Sequence, residues 1–552
     1  MTRWFLPLLL ATSTVTFGQI RFEDAAPDAG IDFQLNNDAG GMFHQIELML
    51  AGIAAFDYNN DGCTDIFFIN GAAIPSLKKT GPEFYNRLYR NNCDLTFTDV
   101  TKQAGVAGEG YSMAVATADY DNDGFADLFV AGVNQNILYH NRGDGTFADV
   151  TEAAGMSGVD PKLGKMWSIS AGWLDYDNDG RLDLFISNYA RWTLATEPRC
   201  GPPDAHFYCH PDVFQGWPNQ LFHNNGDGTF TDVSRRAGIT EHVGKGMGVT
   251  FADFNLDGLI DVFVANDSVQ HFLFENRRDG TFEEIGLEAG VSLREDGAPI
   301  AGMGADFRDF DNDGRPDIVV CGMIDDTFQI YRNTSDTRAR FDDETIRSGL
   351  ARATRLLTSW SMGMYDFDND GWKDLFFASS HFPKHPRVKI SPLKNRVFRN
   401  LGNGRVEDVT AAAGADFQKP ALHHGAAFAD FDNDGRVDVV VNVLNAPAKL
   451  FRNVTTGGAH WAAFRLEGTR SNRDGIGARL RVTLPGGEKL YNHVTTSVGY
   501  ASSSELPARF GLGAATAIES VKIWWPSGAE QELKGTPVDR IVEVREPEDG
   551  QS

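Results

Sequence analysis

The stretch DFDNDGRVD (430–438) runs directly into VVVNV (439–443). Five oxygen-bearing side chains and a glycine are thus followed, without a spacer, by a β-branched run that reads as a buried strand. The same nonapeptide occurs as DYNNDGCTD (57–65), DYDNDGFAD (119–127), DYDNDGRLD (175–183), DFNLDGLID (253–261), DFDNDGRPD (309–317) and DFDNDGWKD (366–374). Successive copies start 62, 56, 78, 56, 57 and 64 residues apart, and each is followed by a run such as IFFIN, LFVAG or LFISN. Between the copies lies a second recurring element: NRLYRNNCDLTFTDV (86–100), NILYHNRGDGTFADV (136–150), NQLFHNNGDGTFTDV (219–233), HFLFENRRDGTFEEI (271–285), and the more worn QIYRNTSDTRARFDDE (329–344) and NRVFRNLGNGRVEDV (395–409). Each reads as a hairpin of two strands around an Asn/Gly/Asp turn. The last unit has LFRN (450–453) without an F-x-D partner, whereas Phe22-Glu23-Asp24 stands alone near the start. Short strands at even spacing, with complementary half-repeats at the two ends, predict an all-β chain closed into a seven-bladed β-propeller over residues 20–455. An open solenoid would need end caps and no complementary halves.

The chain has 552 residues, with 50 Lys+Arg against 76 Asp+Glu, a formal charge of −26. This balance argues against a nucleic-acid partner, whose phosphates are met by clustered Lys and Arg, and against docking on an anionic membrane. Residues 1–18 (MTRWFLPLLLATSTVTFG) have one Arg, a short apolar core and small residues, the layout of a secretory signal peptide. No later apolar run is long enough to span a bilayer, so the expected location is secreted or periplasmic. In an oxidising compartment Cys200 and Cys209 would staple the short loop CGPPDAHFYC, and Cys63 and Cys93 of one repeat could pair, leaving Cys321 over. His206 and His210 beside that loop lack the spacing of a zinc knuckle.

Asp at positions one, three, five and nine of the nonapeptide, with Gly at six, sets hard oxygen donors around a sharp turn, which selects a multi-oxygen divalent cation and favours Ca²⁺ over Mg²⁺. The expected ligands are Asp57, Asn59, Asp61 and Asp65; Asp119, Asp121, Asp123 and Asp127; Asp175, Asp177, Asp179 and Asp183; Asp253, Asn255, Asp257 and Asp261; Asp309, Asp311, Asp313 and Asp317; Asp366, Asp368, Asp370 and Asp374; and Asp430, Asp432, Asp434 and Asp438. Up to seven Ca²⁺ are implied. An EF-hand is excluded, because position twelve is Phe68, Val130 or Ile186 rather than Glu. Asn59 and Asn255 each remove a charge, so the first and fourth loops are expected to bind more weakly.

With lead-ins such as GAAFADFDNDG (425–435), these loops resemble the FG-GAP/VCBS repeats of the integrin α-subunit propeller. GTRSNRDGIGARLRV (468–482), VGYASSSELPARFGLG (498–513) and VKIWWPSGAEQEL (521–533) resemble the small ASPIC/UnbV domain. In order and pairing the chain is similar to the cartilage acidic protein family and its bacterial homologues. The resemblance implies a secreted, calcium-bound propeller with an appended β domain, acting as an extracellular interaction protein; some members occur in natural-product pathways. From the residues themselves, 460–546 read as a separate small β domain followed by a tail, 547–552, with RLRVTLPGG and EKLYNHVTT forming a hairpin. Arg470, Asn472, Arg473 and Asp474 read as a polar turn suited to capping and interdomain packing.

Two functions remain open at this stage. The first is a binding protein for an extracellular protein or carbohydrate, with no nucleic acid and no membrane span. The insertion Tyr189–Gln220 carries Trp192, Phe207, Tyr208, Phe214 and Trp217, which could meet a ligand or plug a blade edge, and HFPKHPRVKISPLKN (381–395) is locally basic. The second is a non-hydrolytic enzyme acting on a small molecule in the propeller channel, lined by residues such as His423, His424 or Asp306. No nucleophile elbow, HExxH or phosphate loop is present, so no catalytic residue is assigned.

Overall fold

The computed structural model describes residues 18–160, 164–335, 338–381 and 391–548. The signal-peptide stretch and most of the 381–395 insertion lie outside the described residues. In the first repeat Ile53–Phe56, Asp65–Phe68, Arg87–Asn91 and Phe97–Asp99 form one antiparallel sheet in chain order, with the acidic loop joining the first strand to the second. The pattern recurs in sheets that begin with Ser112–Ala118, Ser168–Leu174, Gly246–Ala252, Ala305–Arg308, Ser359–Tyr365 and His423–Ala429. The worn fifth and sixth hairpins keep their outer strands, Phe341–Asp343 and Val406–Asp408. The seventh sheet is completed from the chain's start: Phe22–Asp24 pairs antiparallel with Ala446–Asn453, Phe22 opposite Asn453. Each first strand packs on the next, and His423–Ala429 packs on Ile53–Phe56, so the ring of sheets closes as a β-propeller.

The first strands are buried along their whole length, which explains their small residues. A Cβ on Gly363 would lie 2.5 Å from the Phe428 ring of the next sheet. The F-x-D strands close each unit in two ways. Phe97 is buried, and Asp99 Oδ1 accepts the Thr101 N–H at 2.9 Å, starting the helical turn that leads to the next sheet.

The C-terminal domain is two sheets. His460–Glu467 pairs with Ala508–Gly513 and, in parallel, with Ile541–Arg545; Arg479–Thr483 pairs with Lys489–His493 and Ser520–Trp524, which pairs with Glu530–Lys534. The expected hairpin is the pair Arg479–Thr483 and Lys489–His493. Between these sheets the chain leaves its own domain and enters the propeller axis. Ser503 exchanges backbone bonds with Ile53 and Ala55, Ala501 accepts from Val115, and Gly499 exchanges bonds with Ala305. Ser497 Oγ donates to Val249 O at 2.8 Å, and Ser504 Oγ accepts from Phe428 N at 3.1 Å. The channel envisaged as a small-molecule site is therefore filled by residues 497–505. Asp306, expected to line it, is buried and accepts the Met364 N–H at 2.8 Å.

Candidate metal centres

All the acidic loops join a first to a second strand, so they share one face of the propeller, and the recurring residue types fold each loop the same way. The position-one carboxylate accepts backbone N–H groups from positions five and six: Asp119 from Asp123 at 2.9 Å and Gly124 at 2.7 Å, Asp366 from Asp370 at 3.0 Å and Gly371 at 2.7 Å. Position four takes the left-handed backbone at every copy, with φ of 58° at Asn60, 61° at Asn122 and 60° at Leu256. The position-nine carboxylate is clamped by two N–H donors, Asp127 by Tyr120 at 3.2 Å and Asn141 at 2.7 Å. Side chains from alternate positions therefore converge. Ligand atoms of Asp119, Asp121 and Asp127, and of Asp175, Asp177 and Asp183, lie within 4.8 Å of one another.

Burial makes these carboxylates costly to ionise. It pushes Asp65, Asp119 and Asp175 up to about 8 and Asp127, Asp183, Asp309, Asp368 and Asp430 to about 7, with Asp474 adding repulsion at Asp119. Asp261, Asp317, Asp366, Asp374 and Asp438 are also raised, again chiefly by burial. Buried Oδ1 atoms of Asp309, Asp311, Asp368 and Asp432 have no hydrogen-bond partner among the described residues. Acceptor-only oxygens left this way inside a carboxylate cluster fit a hard cation.

Two hydrogen-bond rings tie the loops together. The position-four side chain donates to the position-six carbonyl of the next loop: Asn60 to Gly124, Asn122 to Gly180, Asn178 to Gly258, Asn312 to Gly371, Asn369 to Gly435 and Asn433 to Gly62, at 2.7 to 3.2 Å. Leu256 interrupts this ring. A buried asparagine ending each third strand reaches the position-two carbonyl of the preceding loop: Asn91 to Phe431, Asn141 to Tyr58, Asn224 to Tyr120, Asn276 to Tyr176, Asn333 to Phe254, Asn400 to Phe310 and Asn453 to Phe367, at 2.7 to 2.9 Å.

The profile of the family described as FG-GAP-like repeat matches residues 57–130, 119–186, 209–264, 253–320, 309–377 and 366–441, more than half of the chain. The chain belongs to the FG-GAP-like repeat family. The profile described as ASPIC and UnbV matches residues 468–551. Cartilage acidic protein 1 of Homo sapiens is 26% identical over 69% of this chain and 54% of its own length, and the Mus musculus protein is 24% identical over 90% and 74%. The chain thus spans about half the length of the human relative. Among solved structures the Dos1 propeller matches with a TM-score of 0.37 and 8% identity, over 76% of this chain and 95% of its own. An Agrocybe aegerita lectin specific for non-reducing terminal N-acetylglucosamine matches with a TM-score of 0.37 and 16% identity, over 65% and 79%.

The ASPIC and UnbV domain lies over the FG-GAP loops. Arg473 N donates to Asn122 Oδ1 at 2.7 Å, Asp119 N donates to Asp474 Oδ2 at 2.8 Å, and Gly513 N donates to Asn369 O at 2.8 Å. Its guanidinium groups balance position-one carboxylates: Arg509 is 3.2 Å from Asp430 and Arg479 is 3.6 Å from Asp253. A cleft of about 400 Å³ between the domains opens on Asp57 and Asp119. Arg473 and Asp474 are therefore interdomain contacts, whereas Asn472 caps its own turn through Ile476 and Arg470 N donates to Glu546 within the domain, the capping and packing that their polar-turn reading anticipated.

Disulfides join Cys63 to Cys93 and Cys200 to Cys209, and Cys321 is buried and free. Trp192, Phe214 and Trp217 of the insertion are buried, and Tyr208 donates to Glu47 Oε2 at 2.7 Å. Trp192, Phe214 and Trp217 therefore offer no exposed ligand surface, whereas Phe207 and Tyr208 are half-buried. Sequence reading missed the ASPIC arginines and the third-strand residues facing each loop. The motif [LIV]-[YF]-x-N carried the latter signal, with the same Asn in all seven copies and a variable x.

Proposed function

We propose that this chain is a secreted, calcium-bound FG-GAP propeller that acts as an extracellular binding protein for a protein or carbohydrate ligand. The observation that carries the reading is the set of convergent, buried carboxylates repeated around one face. Their raised affinity for protons in the absence of metal is what a divalent cation would relieve. Positions one, three, five and nine would hold each ion, with the position-seven carbonyl available beside them. Calcium would supply charge neutralisation and fix the turn; the chain's own asparagine rings would carry that order from sheet to sheet. Two disulfides and the kinship with cartilage acidic protein 1 support an oxidising, extracellular setting. No described helix is long and apolar enough to cross a membrane. With the channel filled, catalysis on a small molecule there has no space, and binding is the better-supported reading. Elemental analysis of the purified protein should return several calcium ions per chain, and EGTA should lower the melting temperature. A metal-free preparation that melts unchanged on adding calcium would refute it.

A further inference from the structure

In every sheet the N–H of the third-strand asparagine donates to the position-nine carboxylate at 2.6 to 2.9 Å. That bond fixes the residue just before the asparagine over position three of the loop. The seven occupants are Arg90, His140, His223, Glu275, Arg332, Arg399 and Arg452. Where the loop has its full set of aspartates, the occupant is basic or an imidazole. Arg332 pairs with Asp311, Arg399 Nε is 2.8 Å from Asp368, and Arg452 is 2.7 Å from Asp432. His140 Nδ1 lies 3.2 Å from Asp121 and 3.4 Å from Asp127, and His223 Nδ1 lies 3.5 Å from Asp177 and 3.3 Å from Asp183. The fourth loop reverses the arrangement. Position three is Asn255, the occupant is Glu275, and Asn255 Nδ2 donates to Glu275 Oε1 at 3.2 Å. The first loop also has an asparagine, Asn59, yet its occupant is Arg90.

We propose that Glu275 is the missing carboxylate of the fourth loop, which would take its cation on Asp253, Asp257, Asp261 and Glu275. The third-strand residue thereby sets the charge each loop offers. The two asparagine-bearing loops cease to be equivalent: the fourth regains four carboxylates, with Arg479 3.6 Å from Asp253, while the first keeps three and is the weak site. This assignment rests on the calcium reading above. Glu275 Oε2 also meets Arg277 at 2.9 Å, a half-buried pair that a glutamine would weaken without removing the Asn255 contact.

The test is to count ions per chain, by elemental analysis after dialysis at buffered free calcium, for wild type, Glu275→Gln and Arg90→Glu, with circular dichroism to verify folding. Glu275→Gln is expected to bind calcium about tenfold more weakly at one site and to hold one ion fewer, because affinity follows the ligand charge count. Arg90→Glu is expected to hold one ion more than wild type at a concentration where the first loop is empty. Wild type binding calcium while Glu275→Gln holds as many ions with equal affinity overturns the Glu275 assignment. Arg90→Glu holding no extra ion overturns the ranking of the first loop. Wild type holding no ion at all would instead remove the calcium reading itself.

Discussion

At the scale of single residues, each loop depends on what position four and the third-strand asparagine do with their amides. Position four needs a left-handed backbone, which asparagine tolerates and a branched aliphatic residue resists, and its side chain then links two sheets. Leu256 meets the first requirement at a cost and fails the second, so the ring is broken between the fourth and fifth loops. Leu256→Asn should relieve the backbone and supply a donor to the Gly314 carbonyl, stabilising by about 1–2 kcal/mol. The check is a rise in melting temperature of about 2 °C in calcium; a fall would mean that the Leu256 side chain contributes packing that outweighs the missing bond. The asparagines themselves were visible in the sequence, but their partners were not. Spacing shows that Asn453 recurs; only the closed ring shows that its amide donates to Phe367 on the neighbouring sheet.

At the scale of elements, strands and loops were the most legible part, because the acidic nonapeptide marks where every first strand ends and every second strand begins. The half-repeats at the two ends also foretold that Phe22–Asp24 would join Ala446–Asn453. What spacing did not reveal was the role of 497–505, whose SVGYASSSE composition has neither period two nor period 3.6 and reads as a loop. Its small side chains fit because the first strands converge on it: a Cβ on Gly248 would lie 2.9 Å from Gly499 O. The N-terminal strand is short, yet it covers the outer edge of the last sheet, burying Phe22 against Phe367 and Phe417. A chain beginning at residue 26 would leave Ala446–Asn453 as an unpaired edge. Such a chain is expected to melt lower and to self-associate with rising concentration by size-exclusion chromatography. If it stays monomeric with unchanged melting, the closure is ornamental to stability.

At the scale of the whole molecule, the two domains share one core. His493 sits where the C-terminal domain enters the axis, its Nε2 3.1 Å from Phe251 O, and burial depresses its imidazole to about 3; His271 and His424 fall likewise to about 3 and His423 to about 4. The unfolded chain takes up these protons near pH 6.5, whereas the folded protein resists until about pH 3 to 4. Unfolding therefore gains protons as pH falls, and the stability present above 6.5 is lost towards 4. Each imidazole contributes about 1–2 kcal/mol of loss between pH 6.5 and 5. Melting in saturating calcium should show His493→Gln with a shallower decline than wild type over that range; parallel curves would exclude His493 from the acid response.

The filled axis carries the larger consequence. Propeller sheets pack on their neighbours, but the inner strands here also spend backbone groups on residues of another domain: Ala55 and Val115 donate inward, and Ile53 accepts. Tyr500 adds a buried hydroxyl that donates to Met49 O at 2.6 Å. Withdrawing the segment would leave those buried groups unpaired around a space lined by Ala54, Ala114, Met362 and Ala427, each unpaired group costing about 1–3 kcal/mol. Water entering the vacated axis would recover part of that. A chain ending at residue 458 is thus expected to melt well below the full-length protein, with calcium raising its melting temperature less because the loops also lose the Arg479 and Arg509 contacts that orient Asp253 and Asp430. Equal melting temperatures and an equal calcium shift for the two chains would establish that the propeller is complete without its companion and that the C-terminal residues merely occupy an existing hole.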